Sequence, residues 1–231
     1  MTKMRSALVL AGLAALVWVL AAGVSIAAAE EVYNYVGDLG SNYVDGAFGW
    51  PISVATDSLG NVYVADSDNN YAVHKFDSKG VFVTKWGYPG VDDGEFSSIY
   101  DIAVDSSDNV YVTDSINNCI QKFDSNGQFI TKWGNTGSGD GEFTDVSGIA
   151  VDSSDNFYVA DYSDNRIQKF DSNGQFITKW GNEGSGNGQF AQPADIAVDS
   201  SGNVYVADMG NNRIQKFSSS GDFITKWGRE G

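Results

Sequence analysis

The fifteen letters QKFDSNGQFITKWGN run from Gln121 to Asn135 and return unchanged from Gln168 to Asn182. Working outward from that word, a period appears: Trp86-Gly87, Trp133-Gly134, Trp180-Gly181 and Trp227-Gly228 follow one another every 47 residues. Asp57, Asp105, Asp152 and Asp199 each close an AVD or ATD triplet, the first spacing being 48 because NNYAVHKF carries one residue more than NNCIQKF. A fixed period of this kind marks a repeat architecture, in which each unit buries its faces against its neighbours.

Within a unit, short runs rich in Val, Ile, Tyr and Phe alternate with clusters of Asn, Asp, Ser and Gly, the pattern of strands joined by tight turns. The third unit reads SGIAVD, NFYVAD, RIQKF and QFITKW, which predicts four strands, with SSDN and DSNG as hairpin turns. Gly127 and Gly174 suit a left-handed turn position. Four antiparallel strands per period of about 40 to 50 residues predict an all-β chain forming the blades of a β-propeller. Nothing after Ala29 reads as a helix.

The units GEFTDVSGIAVDSSDNFYVADYSDNRIQKFDSNGQFITKWG and QFAQPADIAVDSSGNVYVADMGNNRIQKFSSSGDFITKWG resemble NHL repeats. The resemblance runs from Phe48 to Gly228 and rests on the combination IAVD, VYVAD, NNRIQKF and KWG; GWPISVATD and NNYAVHKF make the first unit the most divergent. It implies a propeller, six-bladed as a rule in that family. Four units are expected at 48–87, 95–134, 142–181 and 189–228, within a region 48–231. EEVYNYVGDLG (30–40) matches a fourth strand, so 30–47 reads as one strand of a partial blade and a linker. The expected architecture is therefore an incomplete propeller of four blades plus one N-terminal strand. A six-bladed ring in this register needs about 80 further residues on the repeat arithmetic. A truncated fragment, an oligomer that completes the ring and an open arc are the three explanations, and an arc exposes apolar faces.

Ahead of the repeats, Lys3 and Arg5 precede the apolar run 7–29, which ends in Ala27-Ala28-Ala29 before Glu30-Glu31. This is the pattern of a secretory signal, with cleavage after Ala29 favoured; an uncleaved anchor spanning 7–29 is the alternative. Either way the rest is expected to be exported, secreted or held at the membrane. Net charge is −16, and −18 once Lys3 and Arg5 leave with the signal. Nucleic acid is thereby a poor partner, since phosphate binding needs clustered Lys and Arg. Cys119 is the only cysteine, so no intramolecular disulfide forms.

If strands run from the channel outward, one face carries the nearly constant turns DSLGN, DSSDN, DSSDN and DSSGN. The other face varies: its linkers read WPIS, SIYD, DVSG and QPAD, and its middle turns open DSDNNYA, DSINNC, DYSDNR and DMGNNR. The contact candidates on that variable face are Trp50, Tyr71, Tyr100, Asp101, Tyr162, Arg166, Asp195, Met209 and Arg213. Set against them is the plainer reading that loop positions drift when nothing constrains them.

Asp66, Asp114, Asp161 and Asp208 end every second strand. They form either an acidic ring for a cation or, the favoured reading, carboxylates that each cap their own turn. Asp66-Ser-Asp68-Asn-Asn70 opens like a calcium loop, but Tyr71 replaces the required glycine. The glycine-rich linkers precede no helix and so offer no phosphate site. His74 shares a column with Gln121, Gln168 and Gln215, and Cys119 with Arg166 and Arg213; both read as scaffold. No catalytic constellation, metal site or cofactor is expected. The resemblance also admits lyases, whose zinc site needs histidines that one His74 cannot supply, and RNA-binding or ubiquitin-ligase members, which the charge and the lack of a RING-type cysteine pattern disfavour. The expected function is a non-enzymatic module binding a protein, peptide or glycan. A propeller enzyme of the lyase type and a vestigial fragment stand as alternatives.

Overall fold

A computed structural model describes residues 46–68 and 71–228. The expected signal or anchor and the strand at 30–40 lie outside the described residues. Blade 1 comprises β1 (Pro51–Thr56), β2 (Val62–Asp66), β3 (Ala72–Phe76) and β4 (Phe82–Trp86). Blade 2 comprises β5 (Ile99–Val104), β6 (Val110–Asp114), β7 (Cys119–Phe123) and β8 (Phe129–Trp133). Blade 3 is β9 (Val146–Val151), β10 (Phe157–Asp161), β11 (Arg166–Phe170) and β12 (Phe176–Trp180). Blade 4 is β13 (Pro193–Val198), β14 (Val204–Asp208), β15 (Arg213–Phe217) and β16 (Phe223–Trp227). Each blade is a four-stranded antiparallel sheet in chain order, and the first strands of successive blades lie against one another, β1 on β5, β5 on β9 and β9 on β13. The four blades stand as the sequence predicts, with one short 3-10 turn, Met209–Asn211, beyond the expected strands. Among the described residues no helix is long and apolar enough to cross a membrane.

The constant letters build each blade. Asp105 accepts from the backbone of Ser107 and Asn109, from the Asn109 amide and from the Tyr111 hydroxyl. Lys122 reaches its carboxylate at 2.9 Å and lies 4.7 Å over the Tyr111 ring. Asp57, Asp152 and Asp199 repeat the arrangement around Tyr63, Tyr158 and Tyr205. An Asp-x-x-x-Asn turn of this kind closes a hairpin because a short carboxylate satisfies the turn's own N–H groups.

Blades hold one another through the repeated word. Phe157 and Phe170 stack at 4.9 Å beside Trp133 and Tyr111, in the core between blades 2 and 3. Gly174, at φ +79°, lies directly beneath Trp133, where a Cβ would collide with the indole. Gly127 sits likewise under Trp86, and Gly221 under Trp180. Glycine here serves both a left-handed turn and the close approach of the preceding blade. In blades 1 to 3 the second and third strands are buried throughout except at Lys169 of β11; in blade 4, β14 and β15 mix buried with partly exposed positions, and Trp227 is 48% exposed.

Candidate functional site

At the inner end of every blade, the first strand carries a β-bulge at the same place. Bulges re-aim a side chain and recur beside functional sites. The residue delivered there is Ser53 in blade 1, Asp101 in blade 2, Gly148 in blade 3 and Asp195 in blade 4. The four occupy one column of the repeat, and their differences make the site.

Asp101 binds three blades together. One carboxylate oxygen accepts from the Ser53 hydroxyl at 2.5 Å and from its neighbour Ile102 N–H at 2.8 Å; the other accepts from Ile149 N–H at 2.7 Å. Asp195 accepts from Ile196 N–H at 2.7 Å through Oδ1, while its buried Oδ2 has no donor from the protein. The two carboxyls stand close enough to share a hydrogen bond. Gly148 makes the approach possible, since a Cβ there would lie 2.5 Å from the Asp195 Cα and 2.6 Å from its Oδ1.

Two carboxylates cannot both ionise cheaply in such a place. Burial, then the charge of Asp101, pushes Asp195 well above the ordinary carboxylate range. Burial also pushes Asp101 up to about 6, against the lowering effect of the Ser53, Ile149 and Ile102 donors. The better-solvated partner in hydrogen bonds is Asp101, so the proton belongs on Asp195. Tyr100, next to the pair, is pushed up to about 12 by burial and by the Asp195 and Asp101 charges.

A cavity of about 640 Å³ opens over this pair. Its apolar wall includes Ile52, Met209, Ile214 and Trp227, and its polar side Ser53, Tyr100, Asp101, Asp195 and Arg213. Five of the nine sequence candidates thus meet at one place. Trp50, Tyr71, Tyr162 and Arg166 do not line it. Trp50 is 69% exposed, Tyr71 packs against the core between blades 1 and 2, and Tyr162 stands near enough to Tyr100 to act on its ionisation. Arg166 donates to Asp161 and to the carbonyls of Ser138, Gly139 and Glu142; Arg213 does the same for Asp208, Ser185, Gly186 and Gln189. Both guanidiniums therefore staple a linker to its blade. Ser53, Gly148, Ile52 and Trp227 escaped the sequence reading, although aligning the first strands column by column exposes Ser53 and Gly148.

The acids that end the second strands are caps, but chiefly of the linkers rather than, as expected, each of its own turn. Asp66 accepts from Gly49 and Trp50 N–H, Asp114 from Ser97 and Ser98, Asp161 from Thr144 and Asp145, and Asp208 from Ala191. Each reaches back to the linker that enters its blade, because the bulged first strand brings that linker over the end of the second. Asp114 and Asp208 also hold Asn117 and Asn211 of their own turns. Among the described residues no three His, Cys, Asp or Glu side chains are grouped to hold a metal ion. Cys119 is buried, its thiol pushed up to about 12 chiefly by that burial.

A family model described as a 6-bladed beta-propeller, DUF5128, matches residues 106–167 and 154–227, and the NHL repeat model matches residues 48–76. No curated protein matches the chain by sequence. Among solved structures, a streptogramin B lyase is similar with a TM-score of 0.61 at 18% identity, covering 77% of this chain and 54% of that one. A catalytically inactive virginiamycin B lyase from Staphylococcus aureus with quinupristin gives 0.61 at 17%, covering 82% and 59%. A gluconolactonase from Xanthomonas campestris gives 0.56 at 14%, covering 77% and 62%. Likeness at these identities shows the fold alone, and the chain spans 54% to 62% of the length of these structures.

Proposed function

Because the chain belongs to the NHL-repeat family of β-propellers, a scaffold whose fold does not dictate its chemistry, we propose that it is an exported, non-enzymatic binding module whose ligand enters the cavity over Asp101 and Asp195. The observation that carries this reading is the convergence of the unrepeated letters. Tyr100, Asp101, Asp195 and Met209, from columns whose letters change among the blades, line one concavity with apolar walls and few polar groups, the usual make-up of a small-ligand site. The lyase alternative rests on fold likeness. The single histidine, His74, lies in β3 against Phe48 and Phe82 and does not line the cavity.

The test is a fragment screen by NMR on the chain carrying ¹³C-methyl methionine, with neutral, cationic and anionic fragments. Ligands of the site shift the Met209 methyl signal, and Met209→Trp, which fills the cavity from a half-exposed position, abolishes their binding. Fragments that bind equally well to Met209→Trp place the binding surface elsewhere and overturn the reading.

A further inference from the structure

The buried Oδ2 of Asp195 lacks a donor in a place where burial makes that expensive. Asp195 is 7% exposed and lines the cavity. An ionised Asp101 cannot donate to it, so the missing hydrogen comes from a proton on the pair, from water in the cavity or from a ligand that replaces that water.

Among the described residues no uncommitted cation faces the pair. The titratable groups facing the pair are Tyr100 from β5, with Tyr162 and Asp145 acting on Tyr100 from beyond it. None is positive. Arg213 lines the same cavity, but its guanidinium is committed to Asp208 and three carbonyls. Ser53, the contribution of β1, and Ile149, that of β9, donate to Asp101 and add no charge. The pair is thus an anionic site in a strongly acidic chain, with no balancing cation among the described residues around it. Its surroundings suit an organic cation better than a metal: among the described residues no third ligating side chain joins the two carboxyls, while Ile52, Met209 and Trp227 offer apolar surface to a hydrocarbon body.

We infer that the cavity takes a small organic ammonium ligand, whose N–H groups displace the proton shared by Asp101 and Asp195. This rests on the cavity reading above and names the ligand class. The exchange balances simply: the ammonium keeps its protons, one proton leaves the carboxyl pair for solvent, and no covalent bond changes in the ligand. Binding and acidity are then linked, and affinity falls about tenfold for each pH unit of acidification while the pair holds its proton in the free protein.

The experiment is isothermal calorimetry of the chain with three probes of one shape, benzylammonium, benzyl alcohol and benzoate, in two buffers that differ in ionisation heat. Benzylammonium is expected to bind with release of roughly one proton, benzyl alcohol and benzoate at least about tenfold more weakly, a difference of ~1.4 kcal/mol. Asp195→Asn places a carboxamide donor where the proton was and prevents the second carboxylate from forming when the ligand binds; it is expected to lower benzylammonium affinity at least about tenfold and to abolish the proton release and the pH slope. Met209→Trp abolishes binding with both carboxyls intact. If benzyl alcohol or benzoate binds as well as benzylammonium, and Met209→Trp removes it, the cavity reading stands and the ammonium inference falls. If calcium chloride displaces the proton and benzylammonium does not, the ligand class is wrong. Failure of all three probes overturns the inference, and the wider fragment screen then decides the cavity reading on its own.

Discussion

Two sets of aspartates separate this molecule into scaffold and site. Asp105 and Asp152 sit in the constant hairpin turns, where burial pushes their carboxyls up but hydrogen bonds, led by those of Asn109 and Asn156, hold them below the ordinary range. Asp101 and Asp195 sit in the bulged first strands, where burial dominates and both rise. The side chain is the same, and each turn acid lies a few residues from the strand that carries the channel column. The difference lies in who supplies the donors. A turn acid is surrounded by N–H, O–H and ammonium groups written into every repeat, whereas Asp195 faces another acid from two blades away. Repetition yields carboxylates that are satisfied within their own unit; only a break in the repeat leaves one unsatisfied.

The comparison breaks most violently if a scaffold acid is removed. Asp161 is fully buried and holds the Arg166 guanidinium at 3.1 Å, with Arg166 itself 6% exposed. Asp161→Ala leaves that charge with Asp164 alone, at 3.2 Å, and takes the acceptor from the Thr144 and Asp145 N–H groups, which together costs about 3 kcal/mol. Urea denaturation measures it. Converting Arg166 to Met in the same chain is expected to restore part of the loss, because the blade then buries no lone charge. If Asp161→Ala costs under about 1 kcal/mol, the ion pair is not part of what holds the blade.

The channel pair predicts the opposite sign. A carboxyl whose folded value is raised keeps its proton while the unfolded chain loses it, so stability falls as pH rises from the unperturbed value of about 4 through the folded value, about 6 for Asp101. Asp195→Asn fixes a donor in the proton's place. It is expected to remove this fall, leaving the variant more stable than the parent above that window and little changed below it. Thermal melts across pH check this, and a variant that retains the full decline places the titration outside the pair.

Four four-stranded blades were legible because each letter of the repeated word answers a local demand. Gly127 and Gly174 lie under the preceding tryptophan, the Asp and Asn of each turn close it, and Phe157 and Phe170 fill the space between blades. The variable face was legible for the same reason in reverse, and Tyr100, Asp101, Asp195, Met209 and Arg213 do converge. Within that face, variation alone did not separate staple from site. Arg166 and Arg213 differ from Cys119 in the same column because each clamps the linker that enters its blade, and only three-dimensional contacts reveal that their donors are spent. Ser53 and Gly148 were invisible for another cause: a serine and a glycine carry no chemical signal until two acids are seen to meet across them. The bulge that brings them together shifts register by a single residue, which strand-length patterning does not register.

The smallest effect tests the idea that a departure from the repeat leaves polar atoms without partners. In blades 2 to 4, a glutamine in the third strand clamps the incoming linker, as Gln121 does by accepting from Gly94 N–H at 2.8 Å and donating to the Glu95 carbonyl at 2.6 Å. Blade 1 has His74 instead. Its Nδ1 is buried without a partner, and its Nε2 lies 3.7 Å from Asp66, beyond hydrogen-bond reach, while the ring packs edge-on to Phe48 at 5.2 Å. Burial lowers the imidazole's affinity for a proton. A lowered folded value means that stability is lost as pH falls below the ordinary histidine value of about 6.5, a slope opposite to that of the acid pair. His74→Gln restores the repeat letter and places an amide opposite Gly46 and Ala47, the counterparts of Gly94 and Glu95. The gain expected is up to about 1 kcal/mol, typical of a substitution toward the consensus, offset in part by the lost contact with Phe48. The acid-side slope is expected to vanish with it. Melts of the double variant with Asp195→Asn separate the two slopes. A His74→Gln chain that is less stable than the parent at neutral pH would mean that the Phe48 contact outweighs the clamp, and that blade 1 has settled into its own solution rather than lost the common one.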